Sequence, residues 1–164
     1  MKILINNKIN KADKDIANKI FFEGRKNYEF KTINWNYPKS KQFIIYLKNN
    51  NSTIGMVRVI KKKIFLSGKF YNAGCLSTIG VLPNSRNKGY GKILMEKTNQ
   101  YLEKKFDIFL LIARKKLDFF YSKFNFIGNS EFYSILLNFK KKDSNRNLKK
   151  FKFQLHDKKQ INDN

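Results

Sequence analysis

The sequence predicts a mixed α/β domain, a sheet with helices packed on its faces. Three observations carry that reading. Short apolar runs of strand character alternate with segments whose apolar residues recur at helical spacing. The 164 residues suit one domain with a tail and are ample for a single core. Hydrophobic residues reach 41% and aromatics 15%, too apolar for a disordered polyampholyte.

Met1 to Asn7 reads as a short strand. Ala12 to Gly24 follows as a helix, with Ile16, Ile20 and Phe21 on one face, Asp13 as N-cap and Gly24 as the stop. Tyr28 to Lys41 is polar and aromatic without a period, a loop or short helix. Gln42 to Lys48 and Thr53 to Ile60 read as hairpin strands about an Asn-rich turn. Lys61-Lys62-Lys63 is a charge run, most simply a solvated turn or strand edge, and Tyr71 to Val81 is another strand. Pro83 to Gly91 is a loop of small and polar residues. Leu94, Met95, Thr98, Tyr101 and Leu102 then mark an amphipathic helix over Gly91 to Lys105. Ile108 to Ala113 reads as a strand buried on both faces, Leu117 to Phe124 as a short helix, and Phe132 to Phe139 as a strand. A charged loop, Lys140 to Asn147, leads to a last half-exposed strand, Leu148 to Leu155. No repeat or Pro/Gly/Ser linker divides the chain, so residues 1–157 are expected as one domain and 158–164 as a disordered tail.

Lys and Arg total 35 against 12 acidic residues, a net charge of +23. That excludes an acidic solvating protein and raises a polyanion as partner. Lysine supplies 30 of the 35 cations, however, and Asn, Ile and Phe are abundant. A phosphate reader would favour Arg, whose planar fork pairs bidentately, so compositional drift is favoured over a nucleic-acid footprint. One cysteine, Cys75, forbids an intrachain disulfide and points to a reducing compartment. No secretory leader is visible, and the longest apolar run is far short of the ~20 residues that span a bilayer. A cytoplasmic protein without a membrane partner is expected.

The segment that carries chemistry is Ser77 to Gly91, which ends a strand and opens a helix. Arg86-Asn87-Lys88-Gly89-Tyr90-Gly91 gathers backbone N–H groups where a helix start leaves donors unpaired and the dipole is positive. Gly89 and Gly91 let a diphosphate approach the main chain, and Arg86 and Lys88 add charge. The glycine spacing fits neither the dinucleotide fingerprint nor a P-loop.

The run Val81 to Met95 closely resembles the acetyl-CoA-binding motif of the GNAT superfamily of N-acetyltransferases, Arg/Gln-x-x-Gly-x-Gly/Ala with Val-x-Pro upstream. Leu117 to Phe126 is similar to a second family block, Phe-Tyr-x-Lys-x-Gly-Phe, with Tyr121 30 residues beyond Gly91. The resemblance is specific over Thr53 to Tyr133. A weaker hint, Lys63 to Gly68 with Tyr71 to Gly74, resembles members related to the aminoglycoside acetyltransferases.

The resemblance implies a mostly antiparallel sheet of six to seven strands, about four flanking helices, and splayed strands 4 and 5. It implies acetyl-CoA as co-substrate, no metal, and acetyl transfer to a primary amine by direct attack in a ternary complex. The acceptor would be a small molecule or a protein amine. Ile79 and Val81 would offer main-chain groups to the pantetheine arm and thioester, and Arg86 to Gly91 would hold the pyrophosphate. Tyr121 matches the family's general acid, which protonates the departing thiolate; a phenol with an ordinary pKa near ~10 can do so. Cys75 is then a strand residue and no nucleophile.

Three positions depart from the family pattern. Asn125 replaces the usual Gly of the second block, and Asn tolerates positive φ best among non-glycines. Arg114 stands where many members carry Asn, and it could reach the 3′-phosphate instead. The strand Tyr71 to Val81 holds no carboxylate for a general base, which leaves Glu131, Glu23, Asp118, a water chain or an already neutral amine. Phe119, Phe120 and Phe124 read as core, His156 as surface, and Trp35 and Tyr37 as either acceptor contacts or loop packing. A polyanion-binding module on this scaffold with weak or no catalysis is the alternative, as is a monomer or homodimer for the assembly.

Overall fold

The computed structural model describes residues 1–22, 33, 35, 38–66, 68–126 and 133–139. In chain order these form β1 (Lys2–Asn6), α1 (Lys11–Phe22), β2 (Gln42–Asn49), β3 (Ser52–Leu66), β4 (Lys69–Val81), α2 (Tyr90–Leu102), β5 (Ile108–Arg114), α3 (Asp118–Ser122) and β6 (Tyr133–Phe139). Short 3-10 turns at Lys39–Lys41, Pro83–Ser85 and Lys115–Leu117 precede β2, α2 and α3. One sheet runs in the order β1-β2-β3-β4-β5-β6, antiparallel throughout except for the parallel β4–β5 pair. Among the described residues there are six strands, within the expected six to seven, and three α-helices rather than about four. The expected strand Leu148–Leu155, His156 and the tail lie outside the described residues, as do Glu23, Tyr37 and Glu131.

Sheet periodicity sorts the strands onto two cores. Ile44, Tyr46 and Met56 face α1 and pack on Ala17 and Ile20. Their neighbours Phe43, Ile45, Leu47, Val57 and Val59 point the other way, against Leu94, Met95 and Leu102 of α2 and Tyr121 of α3. Trp35 joins the α1 side, where the buried Arg58 guanidinium stacks 4.4 Å from its ring and donates from Nε and Nη2 to Gln42 Oε1 at 2.9 and 2.6 Å. Trp35 thus packs on the α1 side of the sheet.

Three local expectations are corrected and one is resolved. Asn10 rather than Asp13 caps α1: Asp13 N–H donates to Asn10 Oδ1 at 3.1 Å and Asn10 N–H donates to Asp13 Oδ2 at 2.7 Å, a reciprocal capping box. Asp13 is buried and also accepts from Asn6 Nδ2 and the Tyr46 hydroxyl. Of the two readings of Lys61–Lys63, turn or strand edge, the structure takes the second: the run lies within β3, paired to Gly74, Ala73 and Asn72, and the chain reverses at Gly68 (φ +78°). The β5 strand is not buried on both faces, because Ile112 is 72% exposed. Phe119 leaves the core and is 75% exposed, with Lys123 Nζ 4.3 Å from its ring.

Candidate active site

The site forms where β4 and β5 part company. They pair only from Ala73↔Ile108 to Leu76↔Leu111, although both strands continue, to Val81 and Arg114. The cause is visible on β4. Between the β3 partners Met56↔Gly80 and Arg58↔Ser77, β4 spends one residue more than β3, so Thr78 and Ile79 bulge opposite Val57. Thr78 holds φ +50°, a left-handed conformation costing a β-branched residue on the order of 1–2 kcal/mol. The extra residue increases the local twist and turns Ile79–Val81 away from β5.

The gap holds a cavity of about 240 Å³. Ile79, Gly80 and Val81 of β4 form one wall, and Gly91, Leu94 and Met95 of α2 another. Leu117, Phe120 and Tyr121 close it from α3, with Arg86 at the loop end. No carboxylate lines it among the described residues.

The loop from β4 to α2 is tightly built. Leu82 N–H donates to Ile54 O at 2.8 Å, and Ser85 and Arg86 N–H groups donate to Leu82 O and Pro83 O at 2.9 and 3.2 Å. The chain then passes through Asn87 (φ +60°) and Gly89 (φ +75°), the latter capping α2. Lys92 and Ile93 N–H groups both return to Gly89 O. The N–H groups of Asn87, Lys88, Gly89, Tyr90 and Gly91 consequently have no acceptor among the described residues, at the positive end of the α2 dipole. A Cβ on Gly89 would meet open space, so the turn needs Gly for its φ and leaves the main chain accessible.

Of the sequence-derived residues, Ile79, Val81, Arg86, Gly91 and Tyr121 line one cavity. Asn87 and Gly89 contribute the turn. Lys88 and Tyr90 face a separate polar groove of about 320 Å³ with Asn84, Ser85 and the β2–β3 turn, and Lys88 Nζ donates to Asn84 O at 3.3 Å. Arg86 holds its guanidinium on the main chain, Nη2 to Ile20 O at 3.0 Å and Nε to Val81 O at 3.4 Å, clamping the loop to the end of α1. Arg114 ends β5 opposite Tyr133; its side chain lies outside the described part of the chain. Sequence reasoning missed Gly80, Leu94, Met95, Leu117 and Phe120 as cavity walls. The helical period of Leu94 and Met95 shows only that they face inward, whereas the cavity depends on the missing β4–β5 pairing.

Tyr121 is buried and held by its own turn. Phe126 N–H reaches Tyr121 O at 3.4 Å and Asn125 N–H reaches Ser122 O at 3.0 Å, with Asn125 at φ +63°. This is a Schellman cap with Asn125 in the left-handed position, and its usual apolar contact is the Tyr121–Phe126 edge pair, centroids 6.2 Å apart. Phe120 packs edge-on from the other side at 5.1 Å, and Asn99 Nδ2 ties Phe124 O to α2 at 3.2 Å. Cys75 sits in the paired part of β4, where burial pushes its thiol above the ordinary value against a smaller pull from Lys62. Such a thiol is a poor nucleophile.

The mixed sheet thus splits between β4 and β5 beside a turn whose main-chain N–H groups have no acceptor among the described residues. A family model described as Acetyltransferase (GNAT) domain matches residues 11–127, so the chain belongs to the GNAT acetyltransferase family, whose fold generally uses acetyl-CoA. Among solved structures, the chain is similar to Escherichia coli ElaA, with 15% identity and a TM-score of 0.65, over 84% of this chain and 98% of that one. It is also similar to an acyl-CoA N-acyltransferase from Pseudomonas aeruginosa, with 12% identity, a TM-score of 0.59 and the same coverages. Spermidine/spermine N-acetyltransferase SpeG from Vibrio cholerae matches at 14% identity and a TM-score of 0.52, over 65% of this chain and 72% of that one. At these identities the likeness shows the fold alone, and the aminoglycoside-type hint is minor. None of the curated proteins matches the sequence significantly. No helix among the described residues is long and apolar enough to cross a membrane.

Proposed function

We propose that the chain is an acetyl-CoA-dependent N-acetyltransferase that moves an acetyl group to a primary amine by direct attack in a ternary complex. The observation that carries this is the run of acceptor-free N–H groups from Asn87 to Gly91 beside the split between β4 and β5. Acetyl-CoA, when bound, supplies an activated thioester carbonyl. The turn fits its diphosphate: five main-chain donors and a helix dipole meet two negative charges without a bulky side chain at Gly89. The β4 edge at Ile79–Val81, left unpaired by the bulge, offers main-chain groups to an amide-bearing arm. Tyr121 holds a proton on its phenol oxygen at the far wall, where a leaving sulfur needs one.

Among the described residues no carboxylate lines this wall, and in this reading the attacking amine arrives neutral or gives its proton to water. Rates are then expected to climb with pH, with unit slope in the logarithm, until the acceptor's own ammonium group has titrated. The acceptor, a small molecule or a protein amine, is the object of the test. The experiment pairs thermal unfolding with and without acetyl-CoA with a CoA-release screen over amine classes. Unfolding unaffected by millimolar acetyl-CoA would refute the reading. Stabilisation without CoA release for any amine class would favour a coenzyme-binding scaffold with little catalysis.

A further inference from the structure

At the far end of the β3–β4 hairpin from the cavity lies a second surface that acyl transfer does not use. β2 pairs with β3 only as far as Gln42↔Ile60, so among the described residues β3 is paired to β4 alone from Lys61 to Leu66. Cross-strand partners share a face. One face of this arm therefore carries Lys61, Lys63 and Phe65 from β3 with Phe70 and Asn72 from β4, all exposed. Phe65 and Phe70 are 63% and 69% exposed and face each other next to the turn, centroids 4.9 Å apart and ring planes 53° apart. Lys62 and Lys69 project from the other face, Lys69 Nζ 5.3 Å from the Tyr71 ring. The base of the arm is clamped: Asn72 N–H donates to Asp107 Oδ2 at 2.9 Å, and Asp107 N–H donates to Asn72 O at 2.9 Å.

Lysines along an unpaired edge suffice to repel another sheet edge. They do not account for two adjacent phenylalanine rings left in water, which mark a contact surface. A second copy of the chain is a poor occupant, because two such arms would oppose eight lysines on proteins of charge +23. We propose that this arm binds single-stranded nucleic acid. Same-face side chains recur about every 7 Å along a strand, so Lys61, Lys63 and the phenylalanine pair follow an extended sugar-phosphate chain. Lys61 and Lys63 neutralise phosphates, and Phe65 and Phe70 offer ring faces to unstacked bases. The arm lies up to about 40 Å along β4 from Val81, so occupancy there leaves the acetyltransferase site free.

The test titrates the full chain against a fluorescently labelled oligouridine, with anisotropy read at several salt concentrations. Binding is expected to weaken steeply with salt. The double variant Lys61→Gln/Lys63→Gln should lower the logarithmic salt slope by about 1.4, from roughly 0.7 per phosphate on a single strand. Phe65→Leu/Phe70→Leu keeps the apolar bulk but removes the flat rings, and should weaken binding about tenfold or more with the slope unchanged. The proposal is overturned if the wild-type chain does not bind at low salt, or if the leucine variant binds like wild type. Retention on phosphatidylserine vesicles without oligonucleotide binding would overturn it in favour of a lipid surface. Acetyl-CoA stabilisation should be intact in both variants, so failure here is distinct from failure of the acetyltransferase reading.

Discussion

Tyr121 is positioned by residues that do not themselves react. Its backbone carbonyl accepts the long bond of the cap, its ring rests on Phe126, and Asn125 supplies the one conformation that closes the turn. Tyr121→Phe keeps those contacts and removes only the hydroxyl. It should lower kcat by about 10²- to 10⁴-fold, with acetyl-CoA stabilisation unchanged in thermal unfolding. Full activity in that variant would remove the phenol from the acid role. Asn125→Gly should leave stability equal or slightly raised, whereas Asn125→Val should cost about 1–2 kcal/mol and also reduce kcat by loosening Tyr121. A separate residue-scale effect sits beneath α1. Burial, and then the Asp13 carboxylate, hold the Tyr46 phenol above its ordinary value of 10.0. Its folded value exceeds its unfolded one, so its stabilisation is fully present below pH ~10 and is lost as pH rises beyond that. Tyr46→Phe should flatten this alkaline decline in urea titrations, at a cost of about 1–3 kcal/mol at neutral pH.

The decisive element is β4, which is sheet at one end and cavity wall at the other. Its partner β3 stays paired through the bulge while β5 does not, so the bulge converts a paired strand into an edge without exposing it on both sides. The opposite face of that wall is occupied by α1. A Cβ on Gly80 would stand 2.4 Å from Ile20 Cγ2, and Ile20 O in turn holds Arg86 at 3.0 Å. Gly80→Ala should therefore push α1 outward, lower stability by about 1–3 kcal/mol and weaken acetyl-CoA binding through the Arg86 clamp. Adding Ile20→Ala to Gly80→Ala should restore part of the binding loss, a coupling that calorimetric titration of a double-mutant cycle reads directly. Additive losses would mean the α1 contact is unrelated to the cradle.

For the whole molecule, net charge and site chemistry act at different places. A ligand that binds only the native state stabilises by mass action, about 2.7 kcal/mol at a hundredfold excess over Kd. For a chain of this size that corresponds to a rise in Tm of roughly 5–10 °C with saturating acetyl-CoA. High salt should trim this shift only modestly, because main-chain donors in the turn are less screened than exposed lysines. Any polyanion binding should instead collapse over the same salt range.

Local rules carried the sequence reading far. The turn from Arg86 to Gly91, the helix after it and the Asn125 cap all depend on backbone conformation within a few residues, which residue type largely sets. The class of fold was legible for the same reason, since period 2 and period 3.6 are written in consecutive residues. Contacts between distant segments were not legible. That Arg86 also reaches Ile20, 66 residues earlier, is not visible in the sequence. Ile112 and Phe119 look like core until the packed elements leave them uncovered. Lys61–Lys63 reads as either a turn or a strand edge until register with Asn72–Gly74 extends the hairpin through it. By itself, the order of residues determined which groups could bind a diphosphate and donate a proton. Only tertiary structure decided where β4 leaves β5 and thereby brought Arg86, Gly91 and Tyr121 to one cavity, because strand pairing is set by register and packing across the sheet.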